Sequence, residues 1–249
     1  MNSISLPLDR NCQVIDYHPA GVWALNKATG VLSHPNEPNA KSPCILSSHF
    51  DVEEECYHCM DEKGKTHKIY LIHRLDSATS GILLLASNFA LSAQLKNAFS
   101  KREVEKTYFS IVEYNGKPIR PYWKDFLQKK SIAGKIRVQC GRTGLMALTE
   151  VSLERKNYTK YGLLALLKLI PKTGRTHQLR AQCAKRKLPI IGDRTYGNFS
   201  LNRKIAKISN CDRLFLHSAK LKIKIGTENQ TTPWEVESPL PRTFGKLLS

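Results

Sequence analysis

Residues 69–86 have the sequence IYLIHRLDSATSGILLLA. Two short apolar runs, at 69–72 and 81–86, flank a polar segment rich in turn-forming residues. Short apolar runs bounded by turn formers are typical of buried strands. The stretch therefore predicts a strand, a loop and a second strand. Asp76 lies in the loop, and loops held by rigid scaffolds are where functional residues concentrate.

On either side of this stretch, the chain contains more strand patterns than helix patterns. Helices are predicted over 89–101, behind a capping Asn88, and from about Thr176 to Lys187. Residues 36–66 are polar and are predicted to be irregular. Strands are predicted at 22–27, 105–114, 135–140, 146–154, 163–170 and 213–225. With so few helices for βαβ crossovers, we expect an α+β fold: a mixed, largely antiparallel central sheet with flanking helices and loops, in a single domain over 1–249.

Charge points to a polyanionic partner. The chain has 39 Lys and Arg residues against 21 Asp and Glu residues, a net charge of +18, which favours nucleic acid. No run approaches the ~20 apolar residues that cross a bilayer, and the first residues do not form a secretory signal. Seven scattered cysteines, an odd number, favour a reducing cytoplasm over a disulfide framework. A monomer is the default expectation.

Three separate segments carry residues suited to chemistry. The first is 73–81, where Arg74 and Asp76 lie in the polar loop. The second is 106–108, where alternation along a strand places Lys106 and Tyr108 on one face. The third is 172–180, a turn that leads into a helix, where free backbone N–H groups and arginines form an anion site. Each segment alone also has an ordinary structural explanation: a charged turn, a core aromatic residue, or a capped helix.

Together, these segments resemble the RluA-type RNA pseudouridine synthase family. HRLDSATSGILLLA (73–86) is similar to its catalytic-aspartate motif, KTY (106–108) to its tyrosine strand, and 171–197 to its third motif. NKATGVLSHP (26–35) and RLFLHSAKL (213–221) resemble its early turn and closing strand. The chain departs from the family pattern at Ala28, Ser110 and Glu113, none of which touches the proposed chemistry. It resembles a single-domain form without the small N-terminal ribosomal-protein-like RNA-binding domain.

The resemblance implies the pseudouridine synthase catalytic fold and the isomerisation of uridine in rRNA or tRNA. It implies that Asp76 acts as nucleophile or base and that Arg175 favours its ionised form. We expect Tyr108 to pack on the uracil ring and to act as, or to position, the group that removes the final proton. The reaction involves no redox change and no hydrolysis, so no cofactor and no metal are expected.

Further residues are expected to contact the RNA. Arg74, next to Asp76, could fill the space left by a flipped base, and His73 and Thr79 lie in the same motif. Cationic residues on or beyond the predicted second helix are candidates for phosphate contacts. These residues are Arg180, Lys185, Arg186 and Lys187.

Other functions are open at this point. Cys56 and Cys59, with His49 and His67 nearby, suggest a zinc site, but a structural zinc needs four ligands and no second CxxC pair follows. We therefore expect a reduced segment without metal. A non-catalytic RNA-binding protein of the same fold fits the charge equally well, but it would not need a carboxylate in a basic groove. A glycoside hydrolase normally needs two carboxylates, and Asp76 has no evident partner in these segments.

Overall fold

The computed structural model describes residues 4–35, 42–132, 135–227 and 230–249. The strands are β1 (Gln13–His18), β2 (Val22–Lys27), β3 (His49–Asp51), β4 (Cys56–Met60), β5 (Thr66–Leu71), β6 (Ser80–Ala86), β7 (Glu105–Glu113), β8 (Tyr122–Ile132), β9 (Lys135–Gly141), β10 (Leu145–Thr159), β11 (Gly162–Pro171), β12 (Leu216–Thr227) and β13 (Gln230–Glu237). The helices are α1 (Phe89–Ser100), α2 (Gln178–Lys185), α3 (Phe199–Ser209) and α4 (Arg242–Leu248).

The chain divides into two compact units. The first contains Met1–Val104 and Lys220–Ser238, and the second contains Glu105–Ala219 and Pro239–Ser249. The boundary falls once inside β12, between Ala219 and Lys220. The expectation of a single domain over 1–249 stays a prediction.

In the first unit, β6 is the central strand. All of its residues are buried, and it pairs antiparallel with β2 and with β5. From β5 the antiparallel series continues to β4 and β3, β1 pairs with β2, and β13 pairs with β12. Helix α1 begins after Asn88, whose side chain accepts a hydrogen bond from Leu91 N at 2.9 Å, and it buries Leu95 in the core beside Ile82 and Leu84. The core of this unit therefore lies beneath the strands that flank the Asp76 loop.

In the second unit, antiparallel strands run in the order β7, β11, β10, β8, β9. Helix α2 packs on β8 and β9, and it buries Ala181 against Leu127, Val138 and Ala147. Helices α3 and α4 share a second core with β7 and β11, centred on Phe215 and Phe244. The turn 172–177 joins β11 to α2.

The fold class is confirmed, and most predicted elements are found within two residues of their expected ends. Helix α2 begins at Gln178 and ends at Lys185, not at Thr176 and Lys187. The prediction that 36–66 is irregular is wrong for 49–51 and 56–60, which form β3 and β4; residues 36–41 lie outside the described residues. In the described ranges no helix is long and apolar enough to cross a membrane.

Candidate active site

Asp76 lies in the loop 72–79, which joins β5 to β6 in the first unit. Its side chain is half-buried, and its backbone carbonyl accepts a hydrogen bond from Thr79 N at 2.9 Å, which closes a tight turn. Leu71 and Ser80, where the two strands meet the loop, are both buried. The loop is therefore anchored at both ends while the carboxylate keeps access to solvent.

Lys27, at the end of β2, holds this loop from beneath. Its side chain is fully buried, and its ammonium donates hydrogen bonds to the carbonyl oxygens of Ala28 at 2.8 Å, Val31 at 2.7 Å and Ser77 at 3.0 Å. A lysine ammonium carries three donors, and burial of such a charge is tolerated only when it is well bonded. Since Ser77 follows Asp76 directly, Lys27 fixes the backbone beside the carboxylate.

The turn after Lys27 docks on the same loop. Thr29 Oγ1 donates to the carbonyl oxygen of Ala78 at 2.7 Å, and Gly30 N donates to that of Ser77 at 2.8 Å. Gly30 has a φ of +85°, in the left-handed region that glycine adopts without strain. In the sequence this turn stands out only through its resemblance to a family motif, because its role as a clamp depends on contacts about fifty residues apart in sequence.

Ser33 completes the clamp on the N-terminal side of Asp76. Its hydroxyl accepts from Leu75 N at 3.2 Å and donates to the Leu75 carbonyl at 3.1 Å. The carbonyl of Ser33 in turn accepts from the buried Tyr57 hydroxyl at 2.8 Å. Strand β4, which carries Tyr57, thus supports the loop that holds Asp76.

The same strand carries Cys56 and Cys59. Cys56 and Cys59 are fully buried, and burial raises the pKa of the Cys56 thiol to about 11 and raises that of Cys59. Thiols buried in apolar surroundings are unreactive. Among the described residues no three His, Cys, Asp or Glu side chains are placed to hold a metal ion.

Of the three residues of this motif predicted to contact RNA, Arg74 is exposed, His73 is half-buried and Thr79 is buried. The guanidinium of Arg74 lies 2.9 Å from His34 Nε2, and the His34 ring stacks on Phe50. This position fits the prediction that Arg74 reaches a base. The prediction for Thr79 needs correction, because Thr79 is 3% exposed and too buried to meet RNA. His73 stacks on Phe99 with ring centroids 4.6 Å apart and accepts from Leu84 N, so it positions the loop.

Tyr108 and Lys106 lie near the start of β7 in the second unit. Both are half-buried, and Tyr108 faces Leu169 of β11 across the pair. Burial lowers the pKa of Lys106. The Lys106 ammonium lies 3.8 Å from where a Cβ on Gly174 would stand, so this strand end lies beside the turn that precedes Arg175.

Arg175 is set by a buried hydrogen-bond network. Its backbone N donates to Gln178 Oε1 at 3.1 Å, and its Nε donates to the carbonyl oxygen of Met146 at 3.3 Å. Gln178 is held by Thr173, whose hydroxyl donates to Gln178 Oε1 at 2.7 Å, and it donates to Thr149 Oγ1 at 2.9 Å. A fully bonded network of this kind fixes one conformation. Arg175 is half-buried and lines a cleft of about 180 Å³ together with Lys129.

The predicted anion site at the start of α2 has a different local structure. His177, which precedes the helix, is left-handed with φ 51°, and its side chain makes no capping hydrogen bond. Its ring nitrogen Nδ1 lies 2.9 Å from the hydroxyl of Tyr196. Arg175 therefore lies two residues before the helix cap, on the turn itself.

The prediction that Arg180 contacts phosphate is corrected by its burial. Arg180 is 7% exposed, and it donates to both carboxylate oxygens of Asp193, at 2.8 and 2.9 Å. Burial by itself would raise the pKa of Asp193, but hydrogen bonds from Arg180 and from Thr195 N and Tyr196 N hold it below its ordinary value. This paired, buried guanidinium is a structural ion pair.

Lys185 and Arg186 share one buried carboxylate. Lys185 Nζ lies 2.5 Å from one oxygen of Asp125, and Arg186 lies 2.8 Å from the other while its guanidinium covers the ring of Trp123. Both therefore bind helix α2 to β8, although their side chains stay 47% and 24% exposed. Lys187 is exposed, in left-handed backbone with φ 57°, and it remains a candidate for a phosphate contact.

Comparison with known proteins places this arrangement in a family. The profile described as RNA pseudouridylate synthase matches residues 21–185, a range that contains Lys27, Asp76, Tyr108 and Arg175. The chain belongs to the RNA pseudouridylate synthase family. Because these synthases are isomerases, the prediction of an isomerase is confirmed at the level of the family.

Individual relatives agree with this family assignment. The chain is 34% identical, over 85% of its length, to ribosomal large subunit pseudouridine synthase D of Borreliella burgdorferi, and it spans 61% of that protein. It is also 34% identical to tRNA pseudouridine synthase C of Yersinia pestis, over 84% of this chain and 80% of that protein. The structure of human RNA pseudouridylate synthase domain containing 4 superposes with a TM-score of 0.64 at 21% identity, covering 93% of this chain and 90% of that one, which supports the fold.

Proposed function

We propose that this synthase converts specific uridines of structured rRNA or tRNA to pseudouridine, and that Asp76 begins the reaction. The observation that carries the proposal is the family match over 21–185, with Asp76 on a loop held by the Lys27 turn. The similar proteins are named for large-subunit ribosomal RNA and for tRNA, and a net charge of +18 suits either polyanion.

The reaction defines what Asp76 must do. The glycosidic bond between ribose C1′ and base N1 breaks, the base turns, a bond forms between C1′ and C5, and the proton on C5 leaves. An ionised Asp76 attacks C1′ as a nucleophile or removes a ribose proton to give a glycal. Neither route changes an oxidation state or consumes water overall, so the proposal includes no cofactor and no metal.

The other proposed roles follow the motif residues. Tyr108 packs on the uracil ring and acts as, or positions, the group that removes the proton from C5. Arg175 favours the ionised form of the Asp76 carboxylate. The uridine must leave its stack, at a cost of a few kcal/mol, and the exposed Arg74 fills the space it vacates. We place the enzyme in the cytoplasm as a monomer, in line with its seven free thiols.

The test is pseudouridine formation by Asp76→Asn. With RNA labelled by tritium at uridine C5, turnover releases tritium to water, and this variant is expected to release none while binding RNA nearly as well as the parent. Asp212→Asn is the matched control, because Asp212 is an exposed carboxylate paired only at the surface with Arg194. Turnover by Asp76→Asn above contaminant level would refute the assignment. RNA binding without tritium release by the parent would favour the non-catalytic alternative.

A further inference from the structure

One face of the hairpin β8–β9 is uncovered. Along β8 the residues alternate, with Trp123, Asp125 and Leu127 buried towards α2. On the opposite face Tyr122 is 63% exposed and Phe126 is 39% exposed. Helix α2 packs on the buried side of β8, where Gln182 and Lys185 reach Asp125. The open face therefore presents two aromatic rings to solvent.

Cations surround these rings. Lys124 lies between them on the same face, Lys130 follows two positions beyond Gln128, and Arg137 faces Lys130 across the strand pair. All three cations are exposed, and within the described ranges none forms an ion pair. The acidic neighbour on this face is Glu150, opposite Tyr122, and Lys172 neutralises it at 3.0 Å.

Exposed aromatic rings interleaved with cations are typical of surfaces that bind single-stranded nucleic acid. Aromatic side chains offer stacking surfaces to bases of any sequence, and interleaved cations follow the phosphate backbone. On a strand, residues four positions apart lie about 13 Å apart, so Tyr122 and Phe126 stand far enough apart to stack separate bases with Lys124 between them. The bases must be unpaired to expose their faces, which favours single-stranded RNA over a helix.

We propose that the face formed by Tyr122, Lys124, Phe126, Lys130 and Arg137 is a second RNA-binding surface, which holds a single-stranded segment by base stacking. The inference rests on the proposed function only in taking RNA as the ligand. A second copy of this chain is the competing occupant, since exposed aromatic residues also mark protein interfaces, but the unpaired cations would repel one another across a two-fold contact.

The test measures binding of a fluorescent ten-nucleotide oligocytidylate to the full chain. This probe contains no uridine, so its binding is independent of catalysis. Tyr122→Thr combined with Phe126→Thr is expected to weaken binding at least about 25-fold, because loss of one stacked base weakens it at least about 5-fold. Threonine keeps the preference for strands, and Tyr158→Thr, which removes an 87% exposed ring elsewhere on β10, is the matched control.

A second pair of variants tests the charges. Lys124→Gln combined with Lys130→Gln should reduce the slope of log affinity against log salt by about two phosphate contacts, whereas Lys204→Gln, on the exposed side of α3, should leave it unchanged. Circular dichroism melting checks that each variant is folded.

Several outcomes overturn the proposal. These are failure of the parent to bind oligocytidylate, equal affinity of the Tyr122 and Phe126 double variant, or a parent dimer in sedimentation that this variant converts to monomer. The proposed function can fail separately. If the parent binds oligocytidylate through this face but never releases tritium from labelled uridine, the RNA-binding surface is supported and the proposed catalytic activity is refuted.

Discussion

Lys27→Met tests whether the buried ammonium positions the Asp76 loop. Methionine keeps an unbranched apolar stem of similar length and deletes the charged donor group. The parent ammonium donates to three carbonyl oxygens, and one of these, on Ser77, belongs to the loop itself. The variant therefore removes the link between the turn 27–31 and the loop while leaving the surrounding apolar packing nearly intact.

The expected loss of stability follows from these contacts. A hydrogen bond to a charged group contributes about 1.5–3 kcal/mol, so three bonds at the lower value total about 4–5 kcal/mol. Removal of the ammonium also removes its desolvation penalty, which offsets part of this loss. We expect the free energy of unfolding to fall by about 2–4 kcal/mol, measured by urea unfolding and circular dichroism.

Lys27→Met should slow catalysis more than a substitution at an exposed position does. Misplacement of a catalytic group by about 1 Å can slow a reaction about 100-fold, so single-turnover tritium release by folded Lys27→Met should slow by about 10- to 100-fold. Thr29→Val removes only the bond to Ala78 and should have a smaller effect of the same sign. Lys204→Met, at an exposed position, is the control. Stability within 0.5 kcal/mol of the parent, together with an unchanged rate, would refute the clamp, since about 2 kcal/mol is the least expected.

Three further results are expected from the ion pairs and the charge. Arg180→Met should lower the free energy of unfolding by about 3–5 kcal/mol, because it leaves the buried carboxylate of Asp193 without its charged partner. A variant as stable as the parent would contradict this. The folded state lowers the pKa of Asp193, so ionised Asp193 contributes its full stabilisation of the fold above the unfolded pKa of about 3.9. This stabilisation is lost as the pH falls through the folded pKa. In an acid titration, Arg180→Met should therefore unfold at a higher pH than the parent. RNA affinity should fall with salt by nearly one log–log unit per phosphate neutralised, and Lys187→Gln should reduce that slope by about one; a flat dependence removes the electrostatic argument.

The elements around the site were predictable because their signals are local. The apolar run of β6, the Asn88 cap of α1 and the alternation in β10 are patterns of neighbouring residues, and each gives the observed element. Strand β8 was missed because its sequence, YWKDFLQKKSI, is too rich in charge to stand out as a strand. Its alternation becomes clear once one face is known to pack on α2.

The order and spacing of the motif segments are enough to identify the family, and on that basis we propose Asp76, Tyr108 and Arg175 as the residues that carry the chemistry. Which of the charged residues near these motifs are structural becomes clear only from the folded chain. Arg180 and Lys27 are residue types that usually lie on the surface. In the structure, however, Arg180 is paired with the buried Asp193, and Lys27 donates to the carbonyl oxygen of Ser77, fifty residues away in sequence. The physical reason is that burial of a charge depends on partners brought together by long-range packing, which no local pattern records.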